Sequence, residues 1–441
     1  MRKIRTLALA RAVPALALAA ALGLAVSACT GPISSTGTGS TGTGSTPAGP
    51  AGGSTTAPAS PSPSAPAATV TITPGSGKAA DPGKGIAVSV AGGTLKSVQV
   101  ATSGDAVTGS YTAGHASWHS TWALNVAQSY TVTATAIAKK NGTIVTKTST
   151  FRTLAPGATF QTQIFEGYQQ TYGVGMPVIL TFSQPIENKA AVERSIVLQT
   201  SKPVVGAWYW DGNETLYFRP RAYWPAHTTV SFTGHFDGVE ASSGVYGYHM
   251  LTQTFKIGQS VIAVASTRTH KTQIYLDGRL KYNWPVSTGK SGDDTPNGSY
   301  LTIEKSNPVR MVGPGYDLKV PWSVRFTFSG DYYHDAYWSV GQQGFANVSH
   351  GCVNLSPANA EIYYKLAVPG DPITIKGSPR PGTWDNGWTE WFLTWAQLLK
   401  GSATGQAVVA DSRGSTLVDP KTLPKSTAAY PLTTAEPGNN I

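Results

Sequence analysis

The sequence predicts a mainly β protein: two small β-sandwiches followed by a third β domain that carries the chemistry. Three observations predict it. Charged residues make up only 13% of the 441-residue chain while glycine is abundant at 48, a composition typical of exported β-domains. Apolar residues alternate with threonines over short runs that end in Gly, Asp or Asn turns. Finally, sustained helical periodicity is confined to short stretches late in the chain.

Residues 1–28 read as an export signal. Arg2, Lys3, Arg5 and Arg11 precede an Ala/Leu/Val run from Ala12 to Val26, broken by Pro14 and Gly23, which is too short for a confident permanent span. The run ends Val26-Ser27-Ala28-Cys29, and Cys29 is the expected site of lipidation in the manner of a bacterial lipobox. An ordinary cleaved signal with an incidental cysteine is the alternative. Residues 29–68 are Gly, Ser, Thr, Pro and Ala with no large apolar residue after Ile33, so they read as a disordered tether that holds the working domains off a membrane. Removing the four signal positives from the formal +10 leaves +6, which suits an anionic envelope. No basic run is interleaved with aromatics, which argues against nucleic acid as a partner.

Residues 69–155 hold alternating Tyr130, Val132, Ala134 and Ala136, then Asn141-Gly142 as a two-residue hairpin turn and a return strand to Phe151. This outlines an immunoglobulin-like sandwich. Residues 156–258 repeat the pattern: a strand at Val178-Ile179-Leu180-Thr181-Phe182 and an aromatic hairpin from Ala207-Trp208-Tyr209-Trp210 to Thr215-Leu216-Tyr217-Phe218. Their aromatics read as core or interface, with sugar stacking as the alternative. Residues 259–378 supply strands at Val261–Ser266, Thr272–Leu276 and Leu280–Trp284, with Asp277-Gly278 as the turn. A short helix runs from Pro357 to Leu366, with Ser356 as N-cap. Residues 379–402 form a tryptophan-rich cap in which 391, 395, 398 and 399 are helically spaced. Residues 403–441 are weakly patterned and read as a flexible tail.

The chemistry centres on Ser349-His350-Gly351-Cys352-Val353-Asn354. The chain has two cysteines; with Cys29 committed to lipid, Cys352 has no partner in an exported protein, where free thiols are rare. A thiol becomes a nucleophile when an imidazole takes its proton and stabilises the thiolate as an ion pair. His334 and His350 are the candidates. Geometry favours His334, on the run Asp331-Tyr332-Tyr333-His334, as base, and His350 as an orienting neighbour. Gly351 permits close backbone approach, as an oxyanion site requires. Two other readings accompany this one: a buried free cysteine can be a small hydrophobe, and Cys352 with both histidines and Asp331 or Asp335 could hold zinc.

His334, fourteen residues, and then the Ser349–Asn354 motif resemble the signature of L,D-transpeptidases with a YkuD-type catalytic domain, in their actinobacterial and mycobacterial form. Trp338-Ser339-Val340-Gly341, Asn354-Leu355-Ser356-Pro357-Ala358-Asn359-Ala360 and Gly173-Val174-Gly175-Met176-Pro177-Val178 extend the resemblance. It implies two immunoglobulin-like β-sandwich domains, a YkuD-type β-sandwich catalytic domain and a C-terminal cap. By position it implies Cys352 as nucleophile, His334 as base oriented by the main-chain carbonyl of Asp335, and oxyanion-site amides from His350, Gly351 and Cys352. Ser349 and Asn354 would shape the site, Tyr316 would lie on a substrate-covering flap, and Trp338 on the pocket wall. The stretch Met311 to Tyr316 looks shorter than the mycobacterial flap. No cofactor is implied. The implied reaction is acyl transfer from a peptidoglycan tetrapeptide stem, with release of D-Ala and formation of a 3→3 cross-link to a diaminopimelate amine; carbapenems would acylate Cys352. An L,D-carboxypeptidase or a protein-to-wall ligase would use the same thioester. A wall-binding lipoprotein without activity is the rival from another class.

Overall fold

A computed structural model describes residues 68–313 and 315–424. The expected signal, the lipidation site Cys29, nearly all of the tether and the end of the tail lie outside the described residues.

The first sandwich sets a sheet of Thr69–Thr73, Ala87–Ala91, Ser117–Ser120 and Gly109–Tyr111 against one of Ala79–Ala80, Ile144–Thr153, Ser129–Ala138 and Gly93–Ala101. The alternation predicted from residues 130–136 is real: Tyr130, Val132, Ala134 and Ala136 are buried among Val88, Trp118 and Phe151. The intervening threonines face water and meet their cross-strand partners, with Thr131–Thr150, Thr133–Thr148 and Thr135–Thr146 hydroxyls 3.2–3.3 Å apart. The turn differs from expectation. Gly142 is left-handed at φ 70°, but Asn141 is not, because Asn141 Oδ1 accepts from the Thr143 amide and widens the loop. The Asp277-Gly278 turn does take positive φ at both residues, 48° and 77°.

The second sandwich pairs Thr171–Tyr172, Leu251–Ile257, Thr228–Gly234 and Ile196–Thr200 against a sheet built on Val178–Phe182, Thr215–Pro220 and Val204–Asp211. Its tryptophans and Phe218 are core. Trp208, Trp210, Phe218 and Trp224 are buried, and Trp210 Nε1 donates to Glu193 Oε1 at 2.9 Å. Those four present no open face to a sugar, whereas Phe165, Tyr168 and Tyr248 of the same domain are exposed.

The expected flexible tail is corrected here. Ala407–Asp411 and Gly414–Val418 form a hairpin that extends this second sheet, pairing Val204 with Ala410 and Gly206 with Val408. Val408 and Ala410 are buried in its core. The pattern was too short to reveal an edge strand whose partner lies some two hundred residues upstream.

The third domain layers a five-stranded sheet (Arg279–Pro285, Lys271–Leu276, Val261–Ser266, Pro372–Lys376, Gly298–Leu301) against a four-stranded one (Glu304–Ser306, Ser323–Arg325, Tyr332–Asp335, Val353–Leu355). The helix Pro357–Leu366 follows its Ser356 cap and buries Ala360 and Tyr363. In the tryptophan-rich segment the helix is shorter than its spacing suggests. It covers Trp395–Lys400, capped by Thr394, and Trp391 belongs to a separate 3-10 turn, Glu390–Phe392.

That segment ties the second and third domains together. Trp391 is 1% exposed, its Nε1 donates to the Gly175 carbonyl at 2.7 Å, and the Arg219 guanidinium lies 4.4 Å from its ring centre. The glycines of Gly173-Val174-Gly175 allow backbone contact across the same joint: their amides donate to the carbonyls of Pro369 and Gly370 at 2.8 and 2.9 Å. A Cβ at Gly173 would collide with the Asp371 backbone.

Candidate active site

Parallel pairing of two short strands assembles the site. Tyr332–Asp335 runs beside Val353–Leu355, with Tyr333 opposite Val353 and His334 opposite Asn354. Alternation sends Tyr333, Val353 and Leu355 into the core. Cys352, immediately before the second strand, and His334 both line a cavity of about 350 Å³. Met311, Tyr316, Leu318, Trp338, Ser349, His350 and Asn354 share its wall.

His334 is 4% exposed, and its Nδ1 lies 2.7 Å from the Asp335 carbonyl oxygen. A carbonyl only accepts, so Nδ1 carries the hydrogen and Nε2 is left as the basic nitrogen. Burial drives the imidazole down to about 4, against a smaller upward pull from the Asp335 carbonyl. The side chain of Asp335 takes no part in holding the ring.

Cys352 is a free thiol, half-buried, whose Sγ–H points to the Gly330 carbonyl at 3.9 Å. Burial pushes the thiol up to about 12, the Asp331 carboxylate adds to this, and the Tyr332 amide opposes it. Both directions disfavour the expected resting ion pair, since burial penalises the thiolate and the imidazolium alike.

Ser349 folds the turn before Cys352. Its Oγ donates to the Cys352 carbonyl at 2.6 Å and accepts from the Gly351 amide at 3.2 Å. The Gly351 amide thus serves the turn in this structure. Gly351 has φ 127°, and a Cβ there would collide with Asp331 Oδ1.

His350 is exposed, and its Nε2 lies 3.0 Å from Lys290 Nζ. An ammonium only donates, so that nitrogen is the acceptor. Lys290 in turn pairs with Asp293 at 3.3 Å. This places His350 at the rim, next to Tyr316, whose ring centre is 5.2 Å away. Tyr316 lies on the hairpin Val309–Gly313 and Tyr316–Val320, which overhangs the cavity and carries a bidentate Arg310–Asp317 pair. Trp338 flanks His334 with ring centres 5.9 Å apart. Asn354 is buried; its Nδ2 donates to Ser339 Oγ at 2.9 Å while its Oδ1 has no protein partner.

Met311, Leu318, Val320, Gln342 and Val348 were not singled out from the sequence. The period-2 pattern over residues 309–320 was the available signal for the first three. Asp331 was considered only as a zinc ligand. Among the described residues no group of three His, Cys, Asp or Glu side chains is placed to hold a metal ion.

Residues 260–375 match the family described as the L,D-transpeptidase catalytic domain, and residues 77–240 match the Bacterial Ig domain family. L,D-transpeptidase 2 of Mycobacterium tuberculosis (strain CDC 1551 / Oshkosh) is 32% identical over 329 residues, covering 71% of this chain and 80% of its own. L,D-transpeptidase 5 of Mycobacterium tuberculosis (strain ATCC 25618 / H37Rv) is 34% identical over 316 residues, 68% of this chain and 69% of its own. A solved L,D-transpeptidase in complex with imipenem is 35% identical and covers 50% of this chain and 100% of its own, with a TM-score of 0.43. The protein is thus an acyltransferase that acts on peptidoglycan. It belongs to the L,D-transpeptidase family.

Proposed function

We propose that Cys352 is the nucleophile of this L,D-transpeptidase and His334 its base, and that the enzyme forms 3→3 cross-links outside the cytoplasmic membrane, anchored by lipid on Cys29. The observation that carries the catalytic part is the shared cavity: a lone thiol and an imidazole whose only basic nitrogen is Nε2. As the sulfur attacks the L-centre carbonyl of the donor stem, the thiol proton passes to His334 Nε2. The Nδ1 hydrogen stays on the ring throughout, donated to the Asp335 carbonyl. The amides of His350 and Cys352 receive the developing oxyanion. Collapse of that intermediate breaks the amide bond; D-Ala leaves as an amine with the proton returned by His334. The side-chain amine of a second stem attacks the thioester, loses its proton to His334, and Cys352 is released as the thiol. Trp338 and Tyr316 bound the acyl-donor site, and Asn354 Oδ1 offers an acceptor for a stem-peptide N–H.

A carbapenem presents a strained amide carbonyl to the same sulfur and acylates it. Incubation of the purified protein with a defined disaccharide-tetrapeptide, read by mass spectrometry, tests the reaction. Cross-linked 3→3 dimers are expected; tripeptide alone would identify a carboxypeptidase instead. Palmitate labelling lost in Cys29→Ala tests the anchor.

A further inference from the structure

We propose that Asp331 is a positioning residue of the acyl-transfer site: its carboxylate backs the turn that carries Cys352 and sets how readily that thiol ionises. This rests on the assignment of Cys352 as nucleophile.

Asp331 immediately precedes the strand that carries His334 and is only 6% exposed. Its carboxylate is held from two sides of its own loop. Thr327 Oγ1 donates to Oδ2 at 2.7 Å and Ser329 Oγ donates to the same oxygen at 3.2 Å. Its backbone is fixed as well: the Asp331 amide donates to Thr327 Oγ1 at 2.7 Å, and its carbonyl accepts from the Phe326 amide at 3.0 Å. The other carboxylate oxygen, Oδ1, faces Gly351 in the space a side chain would occupy. The turn bearing the nucleophile therefore rests on a carboxylate that cannot move away.

The same short segment surrounds the sulfur. The Gly330 carbonyl takes the thiol hydrogen, the Tyr332 amide favours the thiolate, and the charge of Asp331 between them disfavours it. Burial pushes the Asp331 carboxyl up, while the Thr327 and Ser329 hydroxyls and the charge of Arg380, exposed and anchored on the Asp294 carbonyl, favour its ionised form; Tyr300 and Tyr316 feel that charge and are themselves pushed up, mainly by burial. No step of acyl transfer requires this carboxylate. Its effect is on the resting enzyme: a protonated thiol is a poor target for oxidants and alkylating agents. A lone cysteine working outside the cell gains from staying protonated until a stem peptide is bound and His334 accepts the proton.

The test is the pH profile of iodoacetamide alkylation at Cys352, read by peptide mass spectrometry on the full-length lipoprotein. Asp331→Asn keeps an oxygen for Thr327 and Ser329 but removes the charge. Its alkylation midpoint is expected to fall by about half a pH unit or more, which is about threefold faster labelling at neutral pH. Arg380→Ala, on an exposed side chain, is expected to move the midpoint the other way, and it decides the matter if Asp331→Asn does not fold. A purely structural Asp331 would alter thermal stability without moving either profile, so unchanged midpoints in folded variants overturn the proposal. Failure of the nucleophile assignment is read separately, as a carbapenem adduct that persists in Cys352→Ala.

Discussion

His334 Nδ1 donates a 2.7 Å hydrogen bond to the main-chain carbonyl of the next residue, Asp335, so the imidazole is oriented by backbone and not by a carboxylate side chain. Orientation of this kind survives substitution at residue 335, because every residue supplies the same carbonyl.

Side-chain deletions should separate base from orienter. His334→Ala is expected to slow Cys352 acylation by about 10²-fold or more, the usual worth of a positioned base. Asp335→Asn should retain activity within a few-fold. Carbapenem acylation followed by intact-mass kinetics measures both; a large loss in the Asn variant would mean that the carboxylate matters after all.

The pH dependence follows from the two directions at the site. The thiol is raised to about 12 and the imidazole lowered to about 4, so over the range between them the thiol and imidazole stay neutral. Alkylation of Cys352 at neutral pH should then be slower than that of a free cysteine peptide and should keep rising with pH beyond the ordinary thiol range near 8.5. A labelling rate that levels off on the acid side of neutrality would reveal a thiolate–imidazolium pair.

Stability should fall as pH rises through neutrality. Glu166 and Glu390 are buried carboxyls pushed up to about 8 and about 7, chiefly by burial; the Glu390 charge adds to the rise at Glu166, and the Asp211 charge adds to the rise at Glu390. In the unfolded chain a glutamate titrates near 4.3. A raised folded value means that the folded state binds more protons, so the contribution is complete below that unfolded value. It declines with rising pH and is lost once the pH passes about 7 for Glu390 and about 8 for Glu166. Thermal unfolding should show a lower Tm at alkaline than at mildly acidic pH. Glu390→Gln should flatten that slope, and an equal slope in the variant would place the titrating groups elsewhere.

Trp391 should anchor the cap. Its ring is buried under the Arg219 guanidinium and its Nε1 satisfies the Gly175 carbonyl. Trp391→Ala removes a large buried side chain and leaves that carbonyl without its donor, at a cost of about 3–5 kcal/mol. Urea denaturation measures the loss; a change under about 1 kcal/mol would show that the joint repacks freely.

Much of this protein was legible from local chemistry. Alternation over residues 130–136, the Asp277-Gly278 turn and the Ser356-Pro357 helix start each depend on neighbours in sequence, and each forms as read. That Cys352 and His334 line one cavity fits the sequence reading, because a lone thiol in a polar, glycine-bearing motif has few roles. Tertiary structure decided what depends on distant groups. Val408 and Ala410 became core only because the edge strand at Val204 was left open. The Gly351 amide meets Ser349, and Asp331 backs the turn that carries Cys352 through a loop-to-turn contact across twenty residues. The directions in which the Cys352 thiol and the His334 imidazole are pushed were decided the same way, since desolvation is set by everything packed around a group and no pattern of neighbouring letters encodes it.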